Sequence, residues 1–358
     1  MSYRALTLEE KEEWSNLLEK LPIEQQDIYY TPEYYELYER NGDGTAICFV
    51  YEKNGGIALY PFLMNSVNDL GYDFDNEYND IQGAYGYNGC VYSSCSVGFA
   101  KDFSNSFINY CCENNIIAEF TRFNPIINNH EFSDYLHPIK ENEDIIVDLK
   151  HSEKDTWENI YDRSVRKNVK KAIRNNLIVK QFDGNKISDW WYNEFKKIYF
   201  STLKRRYADK YYYFSDIFFS YLKKHLKNKT LYFFTVKDDI VISCELITYK
   251  NYHAYSFLGG TLSEYFPYRP NDFLKHEIIL YLKSIGVKYF CLGGGSKIND
   301  SIYKYKKSFS KNGDVNFYIG KKIYNKEVYD YICQTWSEKY PTISSKYSNM
   351  LLRYREIK

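Results

Sequence analysis

Apolar residues recur along the first half of the chain at spacings that alternate between helical and strand periods. Thr31 is an N-cap candidate ahead of Pro32, and the apolar side chains that follow recur at helical spacing. Two strand-like runs are joined by Asn54-Gly55-Gly56, which favours a tight β-hairpin turn. The predicted elements are helix Thr31–Asn41, strands Thr45–Lys53 and Ile57–Met64, helix Phe99–Glu113 and strand Ile116–Phe123.

The second half repeats this order of elements without repeating the residues themselves. Its predicted elements are helices Trp190–Tyr207 and Asp216–Lys227, hairpin strands Leu231–Val236 and Ile240–Tyr249, strand Tyr252–Leu258, helix Asn271–Ile285 and strand Val287–Leu292. The shared order indicates two similar mixed α/β domains. We therefore expect an α/β fold with domains at residues 1–150 and 151–320, and a helical tail over residues 321–358 that packs back on the core.

Composition excludes two broad classes of protein. The chain has 358 residues with 47 Lys+Arg and 47 Asp+Glu, so its formal net charge is zero and a globally basic nucleic-acid coat is excluded. Hydrophobic residues make up 44% and charged residues 26%, which excludes wholesale disorder. The 40 tyrosines and 23 phenylalanines favour the codon bias of an AT-rich genome as their explanation over an aromatic-based function.

The chain shows no pattern typical of secretion, membrane insertion or metal binding. The N-terminus is polar rather than a signal peptide, and no run of 18 apolar residues occurs. The six histidines are scattered, and no pair of cysteines has CxxC spacing. We expect no metal and free, buried thiols in a cytoplasmic protein. The cysteines are Cys48, Cys90, Cys95, Cys111, Cys112, Cys244, Cys291 and Cys333.

The segment from Arg163 to Lys180 is the clearest charge feature, with seven basic residues and no acid. On a helix over Arg163–Arg174, the basic side chains cover one face. The apolar residues Val165, Val169, Ala172 and Ile173 are expected on the other face. Two interpretations stand at this point: a solvated basic surface, or a site for nucleotide phosphates or an RNA backbone.

A loop of opposite charge runs from Asn65 to Ala100 and contains no Lys or Arg. Its acidic residues are Asp69, Asp73, Asp75, Glu77 and Asp80. The run Tyr85-Gly86-Tyr87-Asn88-Gly89 then predicts a tight loop with exposed rings. This is either an ordinary surface loop or a binding wall where glycine lets a ligand approach the backbone.

Two glycine-containing segments of the second half lie at strand ends. Gly259-Gly260 leads to a helix that begins near Pro270-Asn271-Asp272, where free backbone N–H groups favour an anion. Gly293-Gly294-Gly295 follows the next strand, and a glycine run there often borders a cleft in α/β folds. Lys306 and Lys307 come shortly after and could supply positive charge.

These segments together resemble a known family. Arg166-Lys167-Asn168-Val169-Lys170 resembles the R-x-N-[IV]-R/K-x-A helix that opens the second domain of Fem-type aminoacyltransferases, the peptidoglycan-bridge enzymes. Pro270-Asn271 with Gly286 to Gly294 is similar to their helix–strand–glycine segment, and Tyr303 to Phe309 resembles their F-K-x-x-F signature. The segments Tyr85–Gly89 and Arg122–Asn129 resemble segments of the GNAT-like proteins that are often found in bacterial surface-polysaccharide gene clusters.

The resemblance implies two tandem GNAT-like acyltransferase domains. It also implies acyl or aminoacyl transfer to an amine of a nucleotide- or lipid-linked cell-wall or polysaccharide precursor. The long coiled-coil arm of some Fem enzymes and the acetyl-CoA signature of single-domain GNAT enzymes are both absent from the sequence. The donor therefore stays open between acyl-CoA and aminoacyl-tRNA, used as co-substrates with no tightly bound cofactor. The alternative is a catalytically degenerate binding or scaffold protein.

The resemblance and the local patterns together nominate the site residues. Arg166, Arg205, Tyr207 and Tyr268 are expected to bind substrate, as are Tyr85, Tyr87 and Asn124 along a cleft between the domains. Gly259, Gly260 and Asn271 are expected to bind the donor. Lys306, or Lys307 next to it, is expected to stabilise the oxyanion of the tetrahedral intermediate. Asp272 or Glu245 would be the base, unless Asp272 only caps a helix and Glu245 only faces solvent on an edge strand.

Overall fold

The computed structural model describes residues 3–72, 74, 76–93, 96–295, 297 and 299–357. The chain forms two compact units: unit 1 comprises Met1–Glu141 and Phe317–Lys358, and unit 2 comprises Asn142–Asn316. The strands are β1 Tyr3–Leu6, β2 Thr45–Lys53, β3 Gly56–Ser66, β4 Asn79–Gln82, β5 Val91–Tyr92, β6 Ile116–Arg122, β7 Ile139–Asp148, β8 Ile178–Asp183, β9 Thr230–Lys237, β10 Ile240–Lys250, β11 His253–Thr261, β12 Tyr289–Gly293 and β13 Asp314–Ile323.

The helices are distributed along the same alternating order. They are α1 Lys11–Glu19, α2 Pro32–Asn41, α3 Phe99–Glu113, α4 Glu153–Asp155, α5 Arg163–Arg174, α6 Asp189–Arg206, α7 Asp216–His225, α8 Pro270–Ser284, α9 Ser301–Lys307, α10 Lys326–Lys339 and α11 Pro341–Tyr347. A single π-helical turn, Thr156–Ile160, follows α4 directly. The mixed α/β class predicted from the sequence is confirmed.

Unit 1 is built on strands in the order β1-β2-β3-β4-β6-β13. Neighbouring strands are antiparallel except β4 and β6, which run parallel on either side of α3 in the sequence. The hairpin turn has Asn54 at φ 51° and Gly55 at φ 79°, and both positive values fit the two-residue turn that the sequence predicted. Aromatic residues, among them Phe49, Phe103 and Phe107, fill the core between the sheet and α3.

Unit 2 repeats this plan with strands in the order β7-β12-β11-β10-β9-β8. Only β11 and β12 are parallel, and α8 lies between them in the sequence. Its core combines α5 and α8 with the sheet, through side chains such as Val165, Leu274 and Ile278. The two units therefore share an order of antiparallel strands, helix and parallel strand.

The structure also corrects several details of the sequence prediction. Strands β1, β4, β5, β7, β8 and β13 and helices α1, α4 and α9 were missed, and β4 and β5 lie in the segment Asn65–Ala100 that was predicted to be a loop. Short or polar strands carry little apolar periodicity. Ile173 is 54% exposed, so the apolar face of α5 is narrower than predicted. Cys112 is exposed, whereas the other described cysteines are buried, and Cys95 lies outside the described residues.

Candidate functional site

In unit 2 the parallel strands β11 and β12 separate after only three paired positions. His253 to Tyr255 face Tyr289 to Cys291, and beyond Tyr255 the remaining residues of β11 pair with β10 alone. A register shift between Leu246 and Ile247 marks a β-bulge in the β10–β11 pair at this point. A bulge bends its strand, so it helps to turn β11 away from β12.

A cavity of about 400 Å³ lies against this unpaired half of β11. Its walls come from β10, β11, α6, α8 and α9, together with the turn that leads to α8. Six of the residues nominated from the sequence line it: Arg205, Glu245, Gly259, Gly260, Asn271 and Lys306. Thr202, Arg206, Ser256, Lys275 and Tyr305 also line it, and the sequence did not nominate them.

Glu245 is buried and forms an ion pair with Lys275, which is equally buried. Both the Lys275 ammonium and the Ser256 hydroxyl, at 2.5 Å, donate to Glu245 Oε1. Strand β10 lies between β9 and β11, so the solvent face of an edge strand suggested for Glu245 is wrong. Lys275 occupies the same buried helix face as Leu274 and Ile278; a lysine within that apolar stripe was the signal that could have revealed it.

Lys306 reaches the cavity from α9, whose first turn is fixed by Asp300 accepting from the backbone N–H of Tyr303 at 2.8 Å. Its Nζ donates to the carbonyl oxygen of Gly294 at 2.7 Å. Burial lowers the pKa of the Lys306 ammonium, and Asp144 opposes that effect. The neighbouring Lys307 does not line the cavity and pairs with Asp314 at 2.8 Å.

Tyr305 lies one residue before Lys306 and lines the same cavity. Its hydroxyl is buried and has no hydrogen-bond partner among the described residues. Burial raises the pKa of this hydroxyl well above its ordinary value, and the nearby carboxylates of Asp272 and Glu245 raise it further. A buried polar group without a partner is costly, which makes Tyr305 a group that a ligand would satisfy.

Arg205 extends from the last turn of α6 and donates from Nη1 to the carbonyl oxygen of Thr261 at 2.6 Å. Its guanidinium lies 5.0 Å from the centre of the Phe266 ring, and burial lowers the pKa of the group. Tyr207 ends the same helix with φ 50° but is 94% exposed and does not line the cavity. Tyr268 is half-buried outside the cavity, with the Lys237 ammonium 5.1 Å from its ring centre.

The two nominated glycines have a packing reason for lacking a side chain. A Cβ on Gly260 would lie 2.5 Å from Thr202 Oγ1 and 2.8 Å from the Ile198 carbonyl oxygen, so glycine lets α6 approach β11. A Cβ on Gly259 would lie 2.8 Å from the carbonyl oxygen of Cys244. Close packing of the chain on itself therefore explains both positions without a donor.

Asp272 occupies the first turn of α8, next to the cavity-lining Asn271. Its carboxylate accepts from the Asn168 side-chain amide of α5 at 2.9 Å. Burial raises the pKa of the Asp272 carboxyl, while the Asn168 bond opposes that effect. A carboxyl with a raised pKa suits proton transfer near neutral pH.

The basic side chains of α5 line a second, separate depression of about 660 Å³. Arg163, Arg166, Lys167, Lys170 and Arg174 all contribute to it. Arg166 is also tied to its own backbone, because its Nη1 donates to the carbonyl oxygens of Trp157, Glu158 and Tyr161 at 3.1, 3.0 and 2.7 Å. These bonds give Arg166 a structural role in fixing the π-helical turn ahead of α5.

The residues nominated in the first half of the chain lie in unit 1. Tyr85 and Tyr87 are half-buried rather than exposed; the Tyr85 carbonyl accepts from Tyr34 at 2.6 Å. Asn124 is buried, and its Oδ1 accepts from the backbone N–H of Ile126 at 2.9 Å in a local turn. Of the acidic loop, Asp73 and Asp75 lie outside the described residues.

Within the described residues, no helix is long and apolar enough to cross a membrane. No group of three or more His, Cys, Asp or Glu side chains in that part of the chain is arranged to hold a metal ion.

Comparison with known proteins places the site within a recognised family model. Residues 163–307 match the Acetyltransferase (GNAT) domain model. No curated protein sequence matches the chain.

Solved structures similar to the whole chain include FemX, with a TM-score of 0.64 at 13% identity over 93% of this chain and 100% of that one. They also include L-PGS from Bacillus licheniformis, with a TM-score of 0.53 at 13% identity over 86% of this chain and 90% of that one. A conserved protein of unknown function from Bacteroides thetaiotaomicron has a TM-score of 0.55 at 7% identity over 90% and 99%. At these identities the likeness concerns the fold. The resemblance found in the sequence is thereby confirmed: residues 163–307 match the GNAT domain model, and the fold of the chain is similar to that of FemX.

Proposed function

We propose that unit 2 transfers an acyl or aminoacyl group to an amine of a cell-wall or polysaccharide precursor, which is nucleotide- or lipid-linked, in the cytoplasm. The observation that carries the proposal is the cavity beside the unpaired half of β11, within the residues that match the GNAT model. It brings Lys306, Glu245, Lys275 and Tyr305 together in a partly enclosed space. Fem-type enzymes, which the sequence resembles, suggest the cell-envelope setting.

The reaction needs an amine that loses a proton, a stabilised oxyanion and a protonated leaving group. In the proposed step the amine nitrogen bonds to the carbonyl carbon, and the bond from that carbon to the donor sulfur or oxygen breaks. The Lys306 ammonium would stabilise the oxyanion of the tetrahedral intermediate, since it lines the cavity and already donates to a carbonyl oxygen, that of Gly294.

Asp272 is the proposed proton acceptor. Its raised pKa suits that task, and its charge acts on the Tyr305 hydroxyl at the cavity wall. Glu245 is less suited to move a proton because Lys275 and Ser256 already occupy its Oε1. The proton taken from the amine would then be delivered to the leaving group, a thiolate from an acyl-CoA or a ribose alkoxide from an aminoacyl-tRNA.

The charge of the cavity supports a phosphate-bearing donor. Arg205, Arg206, Lys275 and Lys306 line it, against the single carboxylate of Glu245. Coenzyme A thioesters and the 3′ end of an aminoacyl-tRNA both carry phosphates that this excess of positive charge would attract. The GNAT match favours the thioester, and the basic α5 surface favours the RNA.

The test is a transfer assay with purified protein, offering a panel of acyl-CoA donors and charged tRNA together with nucleotide-linked amino sugars. Mass spectrometry of the acceptor should show an increase equal to one acyl or aminoacyl group. The same assay on Lys306→Met should show the product forming far more slowly. If no donor and acceptor pair gives a product, the chain is the catalytically degenerate binding or scaffold protein instead.

A further inference from the structure

One carboxylate oxygen of Glu245, a residue that lines the cavity of unit 2, accepts no hydrogen bond from the described residues. Glu245 Oε1 accepts from Lys275 and from Ser256, and no described residue donates to Oε2. Glu245 belongs to β10, which lies between β9 and β11, and both members of the ion pair are buried. A buried ion pair contributes little to stability, since desolvating two charges offsets their attraction. The pair is therefore better explained by a role in ligand binding, because both of its residues line the cavity.

A second unsatisfied group belongs to the same cavity. The buried hydroxyl of Tyr305 has no partner in the described part of the chain, and Tyr305 lines the cavity together with Glu245. Glu245 lines the cavity from β10, and Tyr305 lines the same cavity from α9. Glu245 Oε2 can accept a hydrogen bond from a ligand, and the Tyr305 hydroxyl can donate one.

The charges around these two groups restrict what can bind them. A ligand ammonium would enter a cavity that already holds Lys275, Lys306, Arg205 and Arg206, so repulsion disfavours it. A ligand carboxylate at this point would be repelled by the Glu245 carboxylate, whose Oε2 accepts no hydrogen bond from the described residues. A neutral hydroxyl fits both requirements, because it donates to Glu245 Oε2 and accepts from Tyr305.

We propose that Glu245, held by Lys275 and Ser256, and Tyr305 form a specificity site for a neutral hydroxyl on the transferred acyl group. This inference rests on the proposed acyl transfer and makes the donor a hydroxyacyl thioester rather than a simple acyl or an aminoacyl donor. A site that hydrogen-bonds a substrate hydroxyl strongly rejects the analogue without it, because the polar groups of the site are then left unpaired. Lys275 is a positioning residue in this arrangement, and the hydroxyl takes no part in the bond changes of transfer.

The experiment compares thioesters that differ in one substituent. Calorimetry without an amine acceptor measures binding of lactyl- against propionyl-CoA and of 3-hydroxybutyryl- against butyryl-CoA, with 3-aminobutyryl-CoA as the charged analogue. In at least one pair the hydroxylated thioester should bind roughly 100-fold more tightly, below the range of about 10⁴–10⁵ reached by sites built around a hydroxyl. The amino analogue should bind at least about tenfold less tightly than its hydroxyl counterpart, as the positive cavity requires.

Two variants locate the effect. Tyr305→Phe removes a hydroxyl that makes no bond within the described structure, so the fold is retained while the preference for the hydroxylated thioester falls by about tenfold. Tyr249→Phe removes a hydroxyl from the same unit outside the cavity and should leave the preference unchanged. Equal binding within both pairs, tighter binding of the amino analogue, or no binding of any thioester would overturn the inference.

Turnover separates this inference from the proposed function. Turnover of both members of each pair at equal rates, with equal affinities, removes the hydroxyl site and leaves acyl transfer intact. A binding preference for the hydroxylated thioester without transfer to any amine leaves the hydroxyl site intact and removes the proposed activity.

Discussion

Units 1 and 2 share one order of strands around a parallel pair, yet they treat the buried acid near that pair differently. In unit 1, Glu119 on β6 is surrounded by hydroxyls: its Oε1 accepts from Tyr60 at 2.5 Å and from Tyr135 at 3.1 Å. Its Oε2 accepts from Tyr324. In unit 2, Glu245 Oε1 accepts two hydrogen bonds, from Lys275 and Ser256, and Oε2 accepts none from the described residues. A buried acid on the sheet is thus fully hydrogen-bonded in unit 1, on a strand of the parallel pair, and lines a cavity in unit 2, on the strand next to that pair.

The strands beside these acids differ in the same sense. In unit 1 the connection after β4 returns to β6, because Asn88 accepts from the Arg122 N–H through Oδ1 at 2.6 Å and bridges to Phe123. In unit 2 nothing in the described chain continues the pairing of β11 with β12 beyond Tyr255. Polar residues therefore support structure where the parallel pair is extended and are available for chemistry where it opens. Unit 1 variants should then change stability, and unit 2 variants should change activity.

The largest expected effect is in unit 1, on a buried acid that depends on one cation. Asp80 is fully buried and accepts from Arg355 Nε at 2.7 Å. Arg355→Met would leave that carboxylate without its cation and should lower the free energy of unfolding by about 3–5 kcal/mol. Urea denaturation measures the change, and Arg353→Met, two residues away, is the control with a smaller loss. Adding Asp80→Asn should recover part of the stability; no recovery would mean that the charge is not the cause.

The next effect concerns the oxyanion in unit 2. Lys306→Met should lower kcat by about 100- to 1,000-fold, because a preorganised donor to the oxyanion is lost. Its matched control is Lys307→Met, which removes a partly exposed ion pair to Asp314 and should change kcat little. Circular dichroism and melting temperature check the folding of both variants. A loss below about threefold in Lys306→Met, far less than an oxyanion donor supplies, would exclude the proposed role.

A smaller effect is expected from the proposed base. Asp272 must be ionised to accept a proton, so kcat/KM should rise with pH through its raised pKa and level off above it. Asp272→Asn should lower kcat/KM by about 100-fold at the plateau and abolish this limb. Asn168→Ala removes a bond that favours the carboxylate, so it should move the limb to higher pH. A profile of Asn168→Ala that matches the unaltered protein would rule Asp272 out as the group that titrates.

The smallest effect returns to unit 1. Burial raises the pKa of Glu119, so between its ordinary and raised values the folded state binds more protons than the unfolded state. Stability should therefore fall as pH rises through that window, by up to about 1.4 kcal/mol per pH unit. Glu119→Gln should flatten this dependence in urea titrations taken at several pH values. A slope equal to that of the unaltered protein would assign the pH dependence to another group.

Elements whose signals are local could be predicted from the order of residues. Helix Phe99–Glu113 was predicted with its observed bounds, and the hairpin turn followed from Asn54-Gly55, whose backbone conformation few other residues adopt. Lys306 was found because it stands in a short motif close to a glycine run. These features depend on residues only a few positions apart, so they can be recognised in the sequence.

Contacts between side chains far apart in the sequence depend on the packing of the elements. Lys275 and Glu245 are 30 positions apart, and only the packing of α8 on the sheet makes them an ion pair. The role proposed for Tyr305 also depends on tertiary packing, because the elements around the cavity bury its hydroxyl without giving it a hydrogen-bond partner among the described residues. Strands β8 and β13 are too polar to show a clear period and are stabilised by pairing with distant strands. Such contacts depend on the whole arrangement of elements, so local patterns could not predict them.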